Sequence, residues 1–392
     1  MLLSLALIMI IGFGLSGIFT KLRLPGFLGM IITGIILGPN VMNLISSDIL
    51  NISKDLREIA LIVILTRAGL SIDLKDLKRI GRPAILMSFI PATFELLAVT
   101  FIAPPLLHIT YIEAAIMGSV LAAVSPAVIV PRMLHLMEGG YGKKNSIPQL
   151  IMAGSSIDDI YVIVIFTILL NMYQSGNFNT SALLAIPVSL VTGLIVGIVV
   201  GIGAVSLFKL LHIRDTIKVL IIISIAFVFV SLESILKDII PFSGLLAVMA
   251  LGGTILNQYE LLAKRLKGKF SKIWVAAEII LFVLVGAAVN INYIFSAGLM
   301  AVLLILSALV FRIVGVNFCL LKTKLNLHER LFCSIAYIPK ATVQAAIAAI
   351  PLAAGVNAGQ TILAVGVLAI LITAPLGAIG IDFTYQRLLN DH

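Results

Sequence analysis

The stretch Val124-Ser125-Pro126-Ala127-Val128-Ile129-Val130-Pro131 interrupts a long apolar run and decides how the chain folds. Its two prolines lack a backbone N–H group and clash with preceding carbonyls, so a helix through this run must break near its centre. A second run is interrupted in a similar way at Tyr337-Ile338-Pro339-Lys340-Ala341-Thr342. Each interruption alone is compatible with a simple proline kink. The occurrence of two at similar depth favours a paired feature of the fold.

The composition around these interruptions is that of an integral membrane protein. Hydrophobic residues make up 60% of the 392 residues, charged residues 11%, and the mean hydropathy is +1.17. A soluble domain has about 25% charged residues, so most of this surface must face lipid. The apolar runs reach about 20 residues without alternation, which predicts membrane-spanning helices and not a β-barrel.

Polar, glycine and proline residues divide the chain into about thirteen apolar runs, which predicts an all-α polytopic protein without a soluble domain. The predicted spans are 2–20, 25–45, 57–73, 83–107, 112–136, 147–172, 183–208, 216–232, 240–257, 271–289, 293–320, 329–352 and 359–384.

The basic residues predict how these spans are oriented. With the N-terminus outside, 20 of the 27 basic residues fall in cytoplasmic loops, and only Lys54, Arg57 and Lys237 fall outside. This asymmetry follows the positive-inside rule, so the net charge of +9 needs no nucleic-acid partner. We expect a multi-pass protein of the inner (cell) membrane with a cytoplasmic C-terminus. The run 2–20 reads as a retained first span because Lys21 and Arg23 follow it.

An odd number of spans predicts two six-span halves joined by the seventh span, with inverted topology. The two interrupted runs are then the fifth span of each half. Interrupted helices at matching positions of inverted halves are typical of secondary transporters, whose site lies between them near the bilayer midplane.

Asp158 and Asp159 lie near the centre of the sixth predicted span. An ionisable group at this depth costs several kcal/mol, so such residues are usually functional. Adjacent carboxylates repel strongly in a low dielectric, and we expect one of them to exchange a proton near neutral pH. A carboxylate of this kind holds either a proton or a small cation, which is the minimum requirement of an antiporter. A buried ion pair that only orders helices is the alternative.

Four more charged residues of the predicted spans are candidates for supporting the site. Glu95 and Arg312 are each in the fourth span of their half, so inverted symmetry brings them to related places. Arg312 is a permanent cation that can pair with Asp158, with Glu95 or with both. Lys340 can offset the negative ends of interrupted helices. Glu278 lies in the middle of the tenth span, where a structural pairing is equally compatible with the sequence.

These residues resemble the motifs of the cation/proton antiporter superfamily, the sodium/proton exchangers, over nearly the whole chain. The resemblance is strongest to the aspartate-pair branch that contains animal sodium/proton antiporters and their bacterial relatives. The segments that carry it are Leu24–Gly29, Leu37–Pro39, Gly69-Leu70 with Asp73-Leu74, Ser125-Pro126, Asp158-Asp159, Glu329-Arg330 and Pro339–Ala345.

The resemblance implies a homodimer and an elevator-type exchange of Na⁺ (or Li⁺) for H⁺ that serves pH homeostasis. The mobile core would comprise mainly 57–172 and 271–352, and the dimerisation scaffold mainly 1–45 and 183–257. Asp159 matches the aspartate that binds the transported ion and the proton, and Ser125 matches an ion ligand. Asp158 matches a position typical of electrogenic members. Arg312 stands where several bacterial members have lysine, which leaves the carrier of a second proton open.

Two other functions are compatible with parts of the pattern. The first is a K⁺/H⁺ antiporter or K⁺ efflux system, although the sequence has no carbonyl-lined filter motif. The second is an intramembrane aspartyl protease, which needs two carboxyls on facing elements, whereas adjacent residues of one helix diverge. We therefore expect a transporter and not an enzyme, without a cofactor, whose partners are a monovalent cation, protons and the lipid bilayer.

Overall fold

The computed structural model describes residues 1–71, 81–176, 180–211, 213–236 and 240–389, and every regular element in them is an α-helix. Three residues named in the sequence predictions lie outside this range: Asp73, Leu74 and Lys237. The helices of the first half are α1 (Leu2–Lys21), α2 (Gly26–Leu37), α3 (Ser47–Asn51), α4 (Ser53–Gly69), α5 (Arg82–Met87), α6 (Ile90–Leu107), α7 (Tyr111–Ala122), α8 (Pro126–Glu138) and α9 (Ile147–Ser175).

The remaining helices begin with the long helix α10, which lies where the seventh, connecting span was predicted. They are α10 (Thr180–Leu210), α11 (Asp215–Leu236), α12 (Gly244–Gln258), α13 (Glu260–Ala288), α14 (Ile291–Cys319), α15 (Leu327–Ala336), α16 (Thr342–Ile347), α17 (Ile350–Ala353) and α18 (Gly359–Leu388).

The helices confirm the all-α polytopic membrane class. Within the described residues, nine helical segments are long and apolar enough to cross a bilayer. Large apolar side chains on them are exposed, for example Leu2 at 79% and Leu210 at 78%. Helices satisfy their own backbone groups, so they can expose such side chains to lipid. Each of the thirteen predicted runs coincides with helical residues, but the number of spans stays a prediction.

The helices form two compact units. The first contains α1–α3, α5–α9, α14–α18 and α13 from Ile279 onwards. The second contains α4 from Asp55, α10–α12 and α13 up to Glu278. The division into a mobile core and a scaffold concerns movement, so it stays a prediction.

Both interrupted runs begin with the same local device, a capping box. Thr110 N donates to Glu113 Oε2 at 2.9 Å at the start of α7, and Glu113 N donates back to Thr110 Oγ1 at 3.4 Å. Asn326 N donates to Glu329 Oε2 at 2.7 Å at the start of α15, and Glu329 N donates back to Asn326 Oδ1 at 2.9 Å. Each box satisfies two backbone N–H groups at the start of the helix. These caps fix where the two interrupted helices begin.

Candidate ion-binding site

The two interruptions meet in the first unit. The first break, residues 123–125, separates α7 from α8, and the second break, residues 337–341, separates α15 from α16. Ser125 N donates to Pro339 O at 2.8 Å, so the breaks cross in direct contact. Each break leaves backbone groups without a partner inside its own helix, and these groups are available to side chains. The predicted pair of crossed interrupted helices is confirmed.

Asp158 of α9 reaches the first break. Its side chain is fully buried, and Oδ2 accepts a hydrogen bond from Val124 N at 2.8 Å. The same oxygen lies 3.1 Å from Arg312 Nη2. The other oxygen, Oδ1, is buried and has no hydrogen-bond partner among the described residues. Oδ2 is therefore held by two donors, and Oδ1 is free to bind a ligand.

Asp159 and Ser125 contribute two further oxygens of the same kind. Asp159 is 8% exposed, and Ser125 is fully buried. Asp159 Oδ1 and Ser125 Oγ are buried without a hydrogen-bond partner in the described part of the chain. Within that part, Asp159 also forms no ion pair with a basic residue, in contrast to its neighbour Asp158. A buried polar atom without a partner calls for a ligand such as an ion or a water molecule.

Arg312 of α14 joins the aspartate to a second carboxylate. Its Nη1 lies 2.8 Å from Glu95 Oε2, and its Nη2 contacts Asp158, so Arg312 pairs with both candidates that the sequence left open. Nε donates to Tyr337 O of the second break at 2.7 Å, and Nη1 also donates to Ala122 O at the end of α7. The planar guanidinium has several donors at fixed angles, which suits it to hold four groups at once.

Lys340 is the second buried cation of the cluster. Its Nζ lies 2.8 Å from Glu95 Oε2 and 2.7 Å from Oε1. Nζ also donates to Leu121 O in the last turn of α7, where the carbonyl ends carry partial negative charge. Glu95, Arg312 and Lys340 are at most 1% exposed, so solvent does not screen their interactions.

Glu278 is not part of this cluster. It lies at the boundary of the second unit on α13, half-buried, and Arg67 of the same unit is its charged neighbour. The structure thus brings together six of the seven residues singled out from the sequence: Asp158, Asp159, Ser125, Glu95, Arg312 and Lys340.

Three further groups of the cluster were not singled out from the sequence. Gln344 Nε2 donates to Ala123 O at 2.7 Å, and Thr373 Oγ1 accepts from Lys340 N at 3.0 Å. The third is the carbonyl of Tyr337, which accepts from Arg312. Gln344 lies three residues after the second break, and a polar side chain at that position is a sequence signal that could have predicted its contact with the breaks. Thr373 lies in an apolar stretch of α18 and has no such signal.

The protein class follows from this fold and site: crossed interrupted helices around buried opposite charges define a secondary ion transporter. The fold is similar to that of the solved sodium proton antiporter MjNhaP1 from Methanocaldococcus jannaschii at pH 8. The TM-score is 0.86, and the match covers 99% of this chain and 98% of that one at 20% identity.

Sequence similarity then gives the family. The profile described as "Sodium/hydrogen exchanger, transmembrane" matches residues 3–386. Human sodium/hydrogen exchanger 9B2 is 31% identical over 96% of this chain and 72% of its own length. Human sodium/hydrogen exchanger 9B1 is 32% identical over 87% of this chain and 67% of its own length. The chain belongs to the transmembrane sodium/hydrogen exchanger family.

Proposed function

We propose that this chain is a secondary antiporter that exchanges Na⁺ (or Li⁺) for H⁺. The observation that carries the proposal is the uneven charge of the buried cluster. Arg312 and Lys340 supply two cations, whereas Glu95, Asp158 and Asp159 supply three carboxyl groups. One proton or one monovalent cation makes the cluster neutral, and a buried charge without a partner is costly. Proton and cation therefore compete for one place.

Asp159 is the carboxyl group at which this competition takes place. It forms no ion pair among the described residues, so no cationic side chain has to be displaced when a proton or Na⁺ arrives. Asp159 Oδ1, Asp158 Oδ1 and Ser125 Oγ are buried and have no hydrogen-bond partner among the described residues, and oxygen atoms are the ligands of hard cations. In this proposal Na⁺ is the cargo that these three residues bind.

Elevator-type alternating access is the proposed mechanism. The ion-paired side chains Glu95, Asp158, Arg312 and Lys340 all lie within 57–172 and 271–352, so a body built mainly from these stretches can carry them across the membrane together. The mobile core would comprise mainly 57–172 and 271–352, and the dimerisation scaffold mainly 1–45 and 183–257. Family membership and the antiporter fold support this assignment.

The remaining features of the proposal follow from transport. The chain works as a homodimer in the cell membrane, with the N-terminus outside and the C-terminus in the cytoplasm. It catalyses no covalent reaction and needs no cofactor. Its partners are the monovalent cation, protons and the bilayer, and its physiological effect is pH homeostasis.

The test is exchange by the purified protein in proteoliposomes that hold a pH gradient. Na⁺, Li⁺ and K⁺ are added in turn, and we expect Na⁺ or Li⁺ to dissipate the gradient. Asp159→Asn removes the exchanging carboxyl group and should abolish the response. Asp382→Asn is the matched control because Asp382 is 48% exposed and lies outside the cluster. Full exchange by Asp159→Asn would rule out this role of Asp159.

A second measurement determines the charge moved per cycle. The same exchange is followed with the membrane voltage clamped and unclamped. A rate that depends on voltage indicates electrogenic exchange, which the aspartate pair favours. Cation flux without proton movement would exclude antiport altogether.

A further inference from the structure

Gln344 is a fully buried residue of α16 whose side-chain amide connects both helix breaks. Its Oε1 accepts a hydrogen bond from Ala341 N, in the second break, at 2.9 Å. Its Nε2 donates to Ala123 O, in the first break, at 2.7 Å, and lies 3.5 Å from Leu121 O. Both ends of the amide are thus used, one on each interrupted helix.

The contact with Ala123 reaches the ion site through a single rigid group. The carbonyl of Ala123 and the N–H of Val124 belong to the same peptide unit, which is planar and does not rotate internally. Val124 N donates to Asp158 Oδ2 at 2.8 Å. Gln344 and Asp158 therefore hold opposite edges of one peptide plane. A donor on the carbonyl side also polarises the peptide and strengthens the hydrogen bond from its N–H group.

The orientation of Asp158 depends on this peptide. Val124 N and Arg312 Nη2 both bind Oδ2, and together they leave Oδ1 without a partner. If the peptide plane tilts, only the arginine holds Oδ2, and the carboxylate can rotate about its bond to the Cβ atom. The direction of Oδ1 is then no longer fixed.

We infer that Gln344 is a positioning residue of the ion site: it fixes the Ala123–Val124 peptide, and the peptide aims the free oxygen of Asp158 at the cation. The inference rests on the proposed function, in which that oxygen is a cation ligand. An amide suits this position because one end must donate and the other must accept. A carboxylate cannot donate to Ala123, and a thioether cannot donate and accepts only weakly.

The test compares Gln344→Met and Gln344→Glu with Gln149→Met. Methionine fills a similar volume without strong hydrogen bonds, so the variant isolates the loss of the two contacts. Gln149 of α9 is half-buried, and its Oε1 has no partner among the described residues, so its replacement controls for the loss of an amide. For each purified protein we measure the apparent KM for Na⁺, the maximal exchange rate, the thermal stability and hydrogen–deuterium exchange over residues 121–128.

In Gln344→Met the Val124 amide should exchange about tenfold faster, and the apparent KM for Na⁺ should rise about tenfold, which is the effect of one hydrogen bond. The maximal rate at saturating Na⁺ should stay within twofold of the wild type. Gln149→Met should leave the apparent KM and the Val124 amide unchanged. Compared with the wild type at the same pH, Gln344→Glu should show both effects where its carboxylate is ionised and lose them at acidic pH, where the protonated carboxyl group donates again.

An unchanged Val124 amide in folded Gln344→Met would overturn the inference, and so would an unchanged apparent KM despite faster amide exchange. If Gln344→Met does not fold, the pH dependence of Gln344→Glu decides, because glutamate keeps the size and shape of glutamine. The amide measurement needs no transport. If the wild-type protein does not exchange Na⁺, the proposed function is refuted. The exchange rate of the Val124 amide still decides whether Gln344 holds the peptide.

Discussion

Replacing Glu95 with glutamine tests whether the surplus carboxyl group is what makes the cluster bind a cation. Glu95 is fully buried and lies 2.8 Å from Arg312 Nη1 and 2.7 Å from Lys340 Nζ. Glutamine preserves the shape but removes one negative charge. Arg312 and Lys340 are then balanced by Asp158 and Asp159 with both aspartates ionised. An incoming Na⁺ would add a charge that nothing in the cluster compensates.

The expected size of the effect follows from the burial of these groups. Leaving one charge of a buried pair uncompensated costs about 3–5 kcal/mol. Solvent does not reduce this cost, because the three side chains are at most 1% exposed. A change of about 3 kcal/mol corresponds to about a hundredfold in affinity. We therefore expect Glu95→Gln to raise the apparent KM for Na⁺ about a hundredfold.

A second substitution, Lys340→Met, should restore Na⁺ binding to the Glu95→Gln variant. In the double variant Glu95→Gln/Lys340→Met, Arg312 faces two aspartates, so one carboxyl group is again in excess. Its apparent KM should return to within about tenfold of the wild type, although two cluster residues are lost. Exchange is measured in proteoliposomes over a range of Na⁺ concentrations, with the exposed Glu138→Gln as the control. A double variant that binds Na⁺ no better than Glu95→Gln would refute the charge count.

Three other substitutions separate structural from functional interactions. Gly34→Leu should unfold the protein in a thermal-stability assay, because a Cβ on Gly34 would overlap the Val283 carbonyl where α2 and α13 touch. Glu329→Ala removes the capping box of α15 and the hydrogen bond from Asn145 Nδ2 to Glu329 Oε1, so the free energy of unfolding should fall by about 2 kcal/mol while the apparent KM for Na⁺ stays unchanged. Arg132→Gln breaks the partly exposed ion pair with Asp382, and stability measured by denaturation should change by less than about 1 kcal/mol. A large loss of stability in Arg132→Gln would show that this pair is more than a surface contact.

The parts of the fold that depend on local chemistry could be predicted from the sequence. Pro126 and Pro339 mark the two breaks because proline cannot continue the backbone hydrogen bonding of a helix. Apolar run lengths give the spans because bilayer thickness sets the length of a helix. Asp158, Asp159 and Arg312 stood out for the same reason: a charge at membrane depth is too costly to be incidental.

The contacts inside the cluster depend on how the two breaks cross. This crossing brings together residues that are far apart in the chain, so no local sequence pattern predicts it. The sequence identifies Arg312 as a permanent cation, but it does not decide between Asp158 and Glu95 as its partner because both are carboxylates at a similar depth. Gln344 and Thr373 are polar but uncharged. The free-energy cost of placing such residues in a membrane helix is small, so their position alone does not indicate a function. Glu278 had the same sequence signal as Glu95 but lies outside the cluster, because charge at membrane depth says nothing about which helices pack together.

The two halves of the cluster do share one regularity that the sequence contains. Glu95 and Arg312 are 217 residues apart, and the two capping-box glutamates, Glu113 and Glu329, are separated by nearly the same number. Oppositely charged residues thus occupy matching places of the two halves, and they pair with each other at 2.8 Å. Inverted topology brings equivalent positions face to face, so a charge in one half can be balanced by its counterpart in the other.

The same correspondence explains where the functional asymmetry comes from. Val124 and Lys340 are equivalent positions in the two breaks, and the N–H of each donates to a side chain on a later long helix. The acceptor is the carboxylate of Asp158 in the first half and the hydroxyl of Thr373 in the second. Both halves therefore use one backbone arrangement, which satisfies the free N–H group of a broken helix. The first half gives that position the carboxylate of Asp158, and the second gives it the neutral hydroxyl of Thr373. In the proposed function, this difference puts the cation-binding carboxylate in one half of a symmetric fold.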